Sequence, residues 1–330
     1  MSAEKKWLLF GAVGLIALLG FIFFTPKKEE FGRLWRKSID AIEYEGPTGL
    51  VRLEKESGWF EDRFFITSSV NGKVIRRPGS PAVKGIFAEF EAPIVKGEYI
   101  LDEAEAGKRF ADAQCIRLFH GSSTDTLCAG RTQNALSPVR MPEDPQRVFL
   151  LPDHIFSRLS TDPAHYIEKR LIVMPAGTVP DRLRIIGPDC SVELFRKKQA
   201  AQAPDGSKID AVHWFVKAKG GEEKEIAQPT VMNLLTTLYD MQRDEMLTEK
   251  ETPGQPLYTI ELDLVLEGPA AGSALQRTFG DRTLRLTLYN GELEGPNGTM
   301  IRAESEGVID AVKKERFDRF VDRLSAIPTP

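Results

Sequence analysis

Two stretches, PAVKGIFAEF from Pro81 and PTVMNLLTTL from Pro229, share few letters but space their apolar residues alike. In the first, Val83, Ile86, Phe87 and Phe90 fall at i, i+3, i+4 and i+7, and in the second Val231, Leu234, Leu235 and Leu238 do the same. That interval lines one face of an α-helix. Each helix opens with proline in its first turn, where the missing N–H has no intrahelical acceptor to lose. A chain that writes one amphipathic helix twice must offer it two apolar surfaces, which points to a repeated architecture.

The flanks repeat in the same order. Upstream of each helix lies a strand-like segment with an aromatic dipeptide, GWFED around Trp59 and HWFVKAKGG around Trp214. Downstream come CIRLFHGSSTDTLCAG in the first copy and YTIELDLVLEG through RTLRLTLYNGELEG in the second, which implies a longer hairpin there. Each copy closes with a segment read as a helix ending in Arg-Leu: VFLLPDHIFSRL to Leu159 and VIDAVKKERFDRFVDRL to Leu324. Asn71-Gly72, Asn290-Gly291 and Asn297-Gly298 are hairpin-turn dipeptides, so the strands are expected to run antiparallel. Residues 38–160 and 180–330 form the two modules, joined by a proline-punctuated connector at 161–179. The expected fold class is α+β: two tandem related modules of antiparallel strands with short amphipathic helices, after one N-terminal transmembrane helix. Their cores should contain Trp59, Val83 and Phe87 in one, and Trp214, Val231 and Leu235 in the other.

The membrane helix is the uncharged run from Trp7 to Phe24, bracketed by Lys5 and Lys6 and by Lys27 and Lys28. Eighteen residues of helix span roughly 27 Å, close to the hydrocarbon thickness of a bilayer. The run ends in Phe21-Ile22-Phe23-Phe24-Thr25-Pro26 rather than a small-x-small cleavage site, so it reads as an uncleaved anchor. Residues 1–26 are the anchor and 27–37 a juxtamembrane linker; Gly11 and Gly14 would let a partner helix approach. Lys27, Lys28, Arg33, Arg36 and Lys37 after the anchor favour a cytoplasmic body by the positive-inside rule. The cysteines bear on the same question. A turn at Gly121-Ser122 sets His120 against Ser123 and Cys115 against Cys128, in a non-hydrogen-bonded pair where a bridge is most feasible. The two are either a disulfide, which needs an oxidising compartment, or a pair of buried thiols. Cys190 is left over and reads as a buried, inert thiol.

Composition and motifs exclude much chemistry. A formal net charge of −4 leaves no basic stripe for nucleic acid. The four histidines, His120, His154, His165 and His213, show no metal-ligand spacing, and no Gly-rich phosphate loop, Gly-x-Ser-x-Gly elbow or Cys-x-x-Cys pair occurs. HGSSTD reads as a hairpin turn and ILDEAEAGK as a solvated acidic face. No catalytic residue, cofactor or metal ligand is assigned.

With the anchor, the Gly-Trp-aromatic step, the Pro-led helix and the segment RVFLLPDHIFSRLSTDPAHYIEKRLI, Arg147 to Ile172, the chain resembles the bacterial family called domain of unknown function 4340. Val148-Phe149-Leu150-Leu151 and Glu168-Lys169-Arg170-Leu171 stand in the places of that family's strand and connector, whereas KRFADAQ, Lys108 to Gln114, replaces its Tyr-Gly-Leu step. The resemblance implies a single-pass protein of the bacterial inner membrane with a periplasmic body. It further implies partnership with a gliding-motility-type ABC transporter, through its permease and extracytoplasmic component, and brings no catalytic residues. A non-enzymatic accessory or scaffold subunit follows, contacting lipid through the N-terminal helix; the alternative is a membrane-tethered cell-envelope hydrolase acting on glycan, whose paired carboxylates need no adjacency in sequence.

Overall fold

The computed structural model describes residues 32–328, except 48, 58–61, 71–72, 160–161, 203–207, 219–221, 246, 248–253, 268–281 and 296–297. The anchor, with Trp7, Gly11, Gly14 and Phe24, and the aromatic Trp59 therefore lie outside the described residues. Among the described residues no helix is long and apolar enough to cross a membrane.

The first half contributes β1 (Ala41–Gly46), β2 (Gly49–Glu56), β3 (Arg63–Val70), β4 (Lys73–Pro78), α1 (Pro81–Glu91), β5 (Gly97–Ile100), α2 (Glu103–Arg109), β6 (Gln114–His120), β7 (Ser123–Ala129), β8 (Leu136–Met141), β9 (Asp144–Pro152) and α3 (His154–Ser157). After a 3₁₀ turn at Pro163–Tyr166 the second half contributes β10 (Thr178–Ile186), β11 (Ser191–Gln202), β12 (Lys208–Ala218), β13 (Lys224–Ile226), α4 (Gln228–Tyr239), β14 (Pro256–Leu266), β15 (Arg282–Gly295), β16 (Gly298–Ser305), β17 (Val308–Lys313) and α5 (Lys314–Ser325). The strands form two antiparallel sheets, ordered β4-β3-β2-β1-β6-β7-β8-β9-β5 and β13-β12-β11-β10-β14-β15-β16-β17. One strand order thus occurs twice. The first sheet alone carries an extra edge strand, β5, and the helix α2 that leads from it back to the centre.

The α+β expectation is overturned: strand accounts for 54% of the described residues and helix for 20%, in two mostly antiparallel sheets that loosely resemble sandwiches. The error has a physical origin in the two closing segments. The repeat pattern puts Val148–Pro152 and Val308–Lys313 in the closing helices, although the family resemblance sets Val148–Leu151 on a strand; each segment pairs with the preceding strand, β9 with β8 and β17 with β16. Short apolar runs fit either element, and a neighbouring strand with free N–H and C=O groups decides for the sheet. Asn290-Gly291 is not a hairpin turn either. It lies within β15 at a register shift between Leu288 and Glu292, with Gly291 at φ 106°, the signature of a bulge. The hairpin of the second half is the longer one, β14 and β15 running 11 and 14 residues against seven each for β6 and β7, while the first half adds β5 and α2.

The two proline-led helices stand where their periodicity puts them. Val83, Ile86, Phe87 and Phe90 of α1 are buried against β1, β2, β3 and β6, and Val231, Leu234, Leu235 and Leu238 of α4 are buried in the second core. At about 1.5–3 kcal/mol per buried side chain, each helix face contributes on the order of 6–12 kcal/mol before chain entropy is subtracted. Trp214 is buried in the second core; on β3 the aromatic facing α1 is Phe64, its ring centroid 5.2 Å from that of Phe87. The opposite sheet faces are polar and carry cross-strand ion pairs. Glu43 on β1 pairs with Arg117 on β6 and Arg52 on β2, while Arg184 on β10 pairs with Glu261 (2.9 Å) and Asp263 (3.1 Å) on β14.

Phe87→Ala should lower stability by about 3–5 kcal/mol in urea unfolding followed by circular dichroism. Met232→Ala, on the exposed side of α4, should change it by less than about 0.5 kcal/mol.

Candidate functional site

The sheets meet through a set of buried charges. Asp310 projects from β17 to the core side of the second sheet and is wholly buried. Arg243, from the segment after α4, donates from Nε to Asp310 Oδ2 at 2.9 Å and from Nη1 to the carbonyls of Glu168 (2.8 Å) and Arg170 (2.5 Å). Arg77, on the edge strand β4 of the first sheet, places Nη2 3.0 Å from Asp310 Oδ1 while donating from that nitrogen to the Leu247 carbonyl at 2.7 Å. One carboxylate is therefore shared by guanidiniums from both halves of the chain. Burial pushes the Asp310 carboxyl up, against the pull of Arg77 and Arg243. Burial likewise pulls Arg243 down, against the attraction of Asp310.

Backbone bonds complete the junction. Leu171 N–H donates to Met241 C=O (3.0 Å), Arg243 N–H to Lys169 C=O (2.6 Å) and Glu168 N–H to Pro78 C=O (2.9 Å), while Ser305 Oγ donates to Leu171 C=O (2.5 Å). The connector is thus laced to both sheets. Glu168 accepts three bonds from Arg170, from its backbone N–H (2.9 Å), Nε (3.0 Å) and Nη2 (3.0 Å). Burial alone would raise the Glu168 carboxyl, but these bonds and the nearby Arg243 outweigh it and hold the group below the usual glutamate range.

Above this junction opens a cleft of about 400 Å³. Phe64 and Pro81 come from the first half, Leu171, Val173 and Met174 from the connector, and Leu284 from β15. At its lip Glu306, in the β16–β17 turn with φ 56°, pairs with Arg63 of β3 at 2.6 Å. A non-glycine residue in that conformation is held against a cost of about 1 kcal/mol, here opposite a partner from the other sheet. The cleft can offer apolar surface. Of its three lining carboxylates, Glu168 and Glu306 are engaged by arginines; the third is Asp62.

The residues singled out from sequence lie elsewhere. Cys115 and Cys128 face each other across β6 and β7 and are bonded, S–S 2.02 Å, with α-carbons 4.0 Å apart. Gly121, at φ 57°, opens the turn between them. Cys190 is half-buried in the β10–β11 turn, and burial raises its thiol. Val83, Phe87, Trp214, Val231 and Leu235 are core, and ILDEAEAGK supplies α2, capped by Asp102, which accepts from Glu105 N–H. Among the described residues no group of His, Cys, Asp or Glu is arranged to hold a metal. Sequence reasoning missed Arg77, Arg243 and Asp310. One signal was present: Asp310 is a lone acid in the apolar strand VIDAVK, where a charge needs a buried partner. Comparison with protein families, curated proteins and solved structures finds no match to this chain.

Asp310→Ala leaves two arginines facing each other without their counter-ion and should cost about 3–5 kcal/mol, read as a lowered urea midpoint. The pH dependence follows from Glu168. Its folded pKa is depressed, so its stabilisation is fully present above the ordinary glutamate value of 4.5 and is lost as pH falls from there through the folded value. Glu168→Gln should therefore show a shallower loss of thermal stability than the wild type below pH 4.5, with the two curves running parallel above it.

Proposed function

We propose that this protein is a membrane-tethered, non-catalytic binding subunit whose two sheets hold a partner polypeptide in the cleft at their junction, with its body outside the cytoplasm. The observation that carries this reading is the cleft's chemistry: apolar walls beside which Glu168 is engaged by Arg170 and Glu306 by Arg63. Such a surface gains free energy by removing apolar side chains of a partner from water. A glycan hydrolase needs a carboxylic acid that keeps its proton near the working pH, whereas Glu168 is held on the opposite side of its ordinary range. The tether rests on the Trp7–Phe24 run, and the Cys115–Cys128 disulfide favours an oxidising compartment. The resemblance to domain of unknown function 4340 supplies the partner: the permease and extracytoplasmic component of an ABC transporter.

The test is affinity purification of the full-length protein from mild detergent, with co-purifying proteins identified by mass spectrometry. An ABC permease and its extracytoplasmic component should accompany the wild type. Val173→Asp, which puts a charge on an exposed cleft residue, should reduce recovery of the extracytoplasmic component at least about tenfold, the equivalent of 1.4 kcal/mol. Equal recovery with the variant would remove the cleft from the reading, and a wild type that emerges alone would remove the transporter.

A further inference from the structure

The chain enters the first sheet beside the C-terminal end of α1. Leu34 N–H donates to Pro93 C=O (2.9 Å), Lys37 N–H to Glu91 C=O (2.9 Å) and Trp35 Nε1 to Phe90 C=O (2.8 Å), fixing residues 32–37 against the body. An open concavity lies there, lined by Arg33, Arg36, Lys37 and Lys55, with Glu91 as its only carboxylate among the described residues. Lys55 already neutralises Glu91 (2.5 Å), and Lys37 reaches away to Asp125 (2.6 Å). Arg33 and Arg36 are exposed and make no ion pair among the described residues.

We propose that this concavity seats the headgroups of anionic phospholipids and so fixes how the body stands on the bilayer. The proposal rests on the reading that Trp7–Phe24 lies in the membrane. Arg33 follows Phe24 by nine residues, at most about 30 Å even if fully extended, and the intervening chain holds Lys27 and Lys28 as well as Glu29 and Glu30. The charge also resolves a conflict. Basic residues directly after a first membrane helix favour retention on the cytoplasmic side, yet the disulfide belongs to an oxidising compartment. A cluster that opposes the topology signal is explained by a task on the far side, and charge complementarity to a lipid phosphate is that task. Each lysine or arginine near an anionic surface strengthens binding about fivefold at low salt, an effect that fades within a Debye length.

The experiment reconstitutes the full-length protein in nanodiscs of phosphatidylcholine alone or mixed equally with phosphatidylglycerol, and counts retained lipids by native mass spectrometry. The wild type should retain phosphatidylglycerol preferentially. Arg33→Gln/Arg36→Gln should cut that preference about fivefold per charge removed, and Arg33→Lys/Arg36→Lys should keep it. Arg147→Gln/Arg182→Gln, at exposed sites on other faces, should also leave it unchanged. Equal retention by the Gln/Gln variant, absence of any preference in the wild type, or full displacement of lipid by inorganic phosphate would each overturn the proposal while leaving the tether intact. Failure of the wild type to enter nanodiscs at all would instead overturn the tether, and the proposal with it.

Discussion

Asp310, wholly buried on the last strand of the second sheet, is held between Arg77 from the edge of the first sheet and Arg243 from the segment after α4. Each sheet has its own apolar cluster, closed by its own helices. Hydrophobic burial is non-directional, so two finished cores say little about how the sheets should sit together. A buried carboxylate says a great deal. Left unpaired it costs several kcal/mol, and that penalty is offset only when both guanidiniums arrive with good geometry. The network therefore acts less as net stabilisation than as a registration device. The connector that reaches it, Glu168 to Leu171, is the segment that floors the cleft.

Topology explains why the junction falls where it does. In the second sheet, α4 carries the chain from the edge strand β13 back across one face to the central β14. In the first, the chain leaving α1 goes on to the far edge, lays down β5 beside β9, and returns through α2 to the central β6. The detour covers the edge away from the junction, which leaves β4 to carry Arg77 toward β17. Unpaired sheet edges are sites of uncontrolled association. Here one edge is blunted by a four-residue strand and another is occupied by the partner half.

Local patterns were legible in the sequence wherever one short-range rule fixed the geometry. Four apolar residues at helical spacing placed the buried faces of α1 and α4, because no other element brings those positions onto one side. A two-residue turn fixed the register of β6 and β7 and set Cys115 opposite Cys128, because register in a tight hairpin is counted outward from the turn. Reading failed where the deciding interaction was distant. VFLLP and VIDAVK are apolar enough for either element, and only the neighbouring strands β8 and β16 settle them. Asn290-Gly291 resembles a turn, but continued pairing with β14 and β16 turns it into a bulge within one long strand. The junction was the least legible part, since Arg77 and Asp310 lie more than two hundred residues apart and each looks like an ordinary strand charge.

The surfaces left to the protein follow from these constraints. The outer face of each sheet carries charges whose signs alternate across strands: Arg117, Glu43 and Arg52 in one, and Glu261, Arg184 and Glu193 at the corresponding strands of the other, where Arg184 pairs with Glu261 and Glu193 with Arg182. Opposite charges on adjacent strands stabilise the sheet by tenths of a kcal/mol each and keep the faces hydrated, which disfavours broad apolar docking there. The inner faces are consumed by the helices. Apolar side chains can then remain open where neither sheet's helix reaches, above the ionic junction, and Val173 and Met174 stand in that gap because the connector must pass there to join the halves. The buried charges that link the two sheets therefore lie directly beside the cleft. Under the proposed reading, weakening the Arg77–Asp310–Arg243 set should act on the cleft both through the spacing of its walls and through Arg243, which lines it, whereas Arg77 and Asp310 do not.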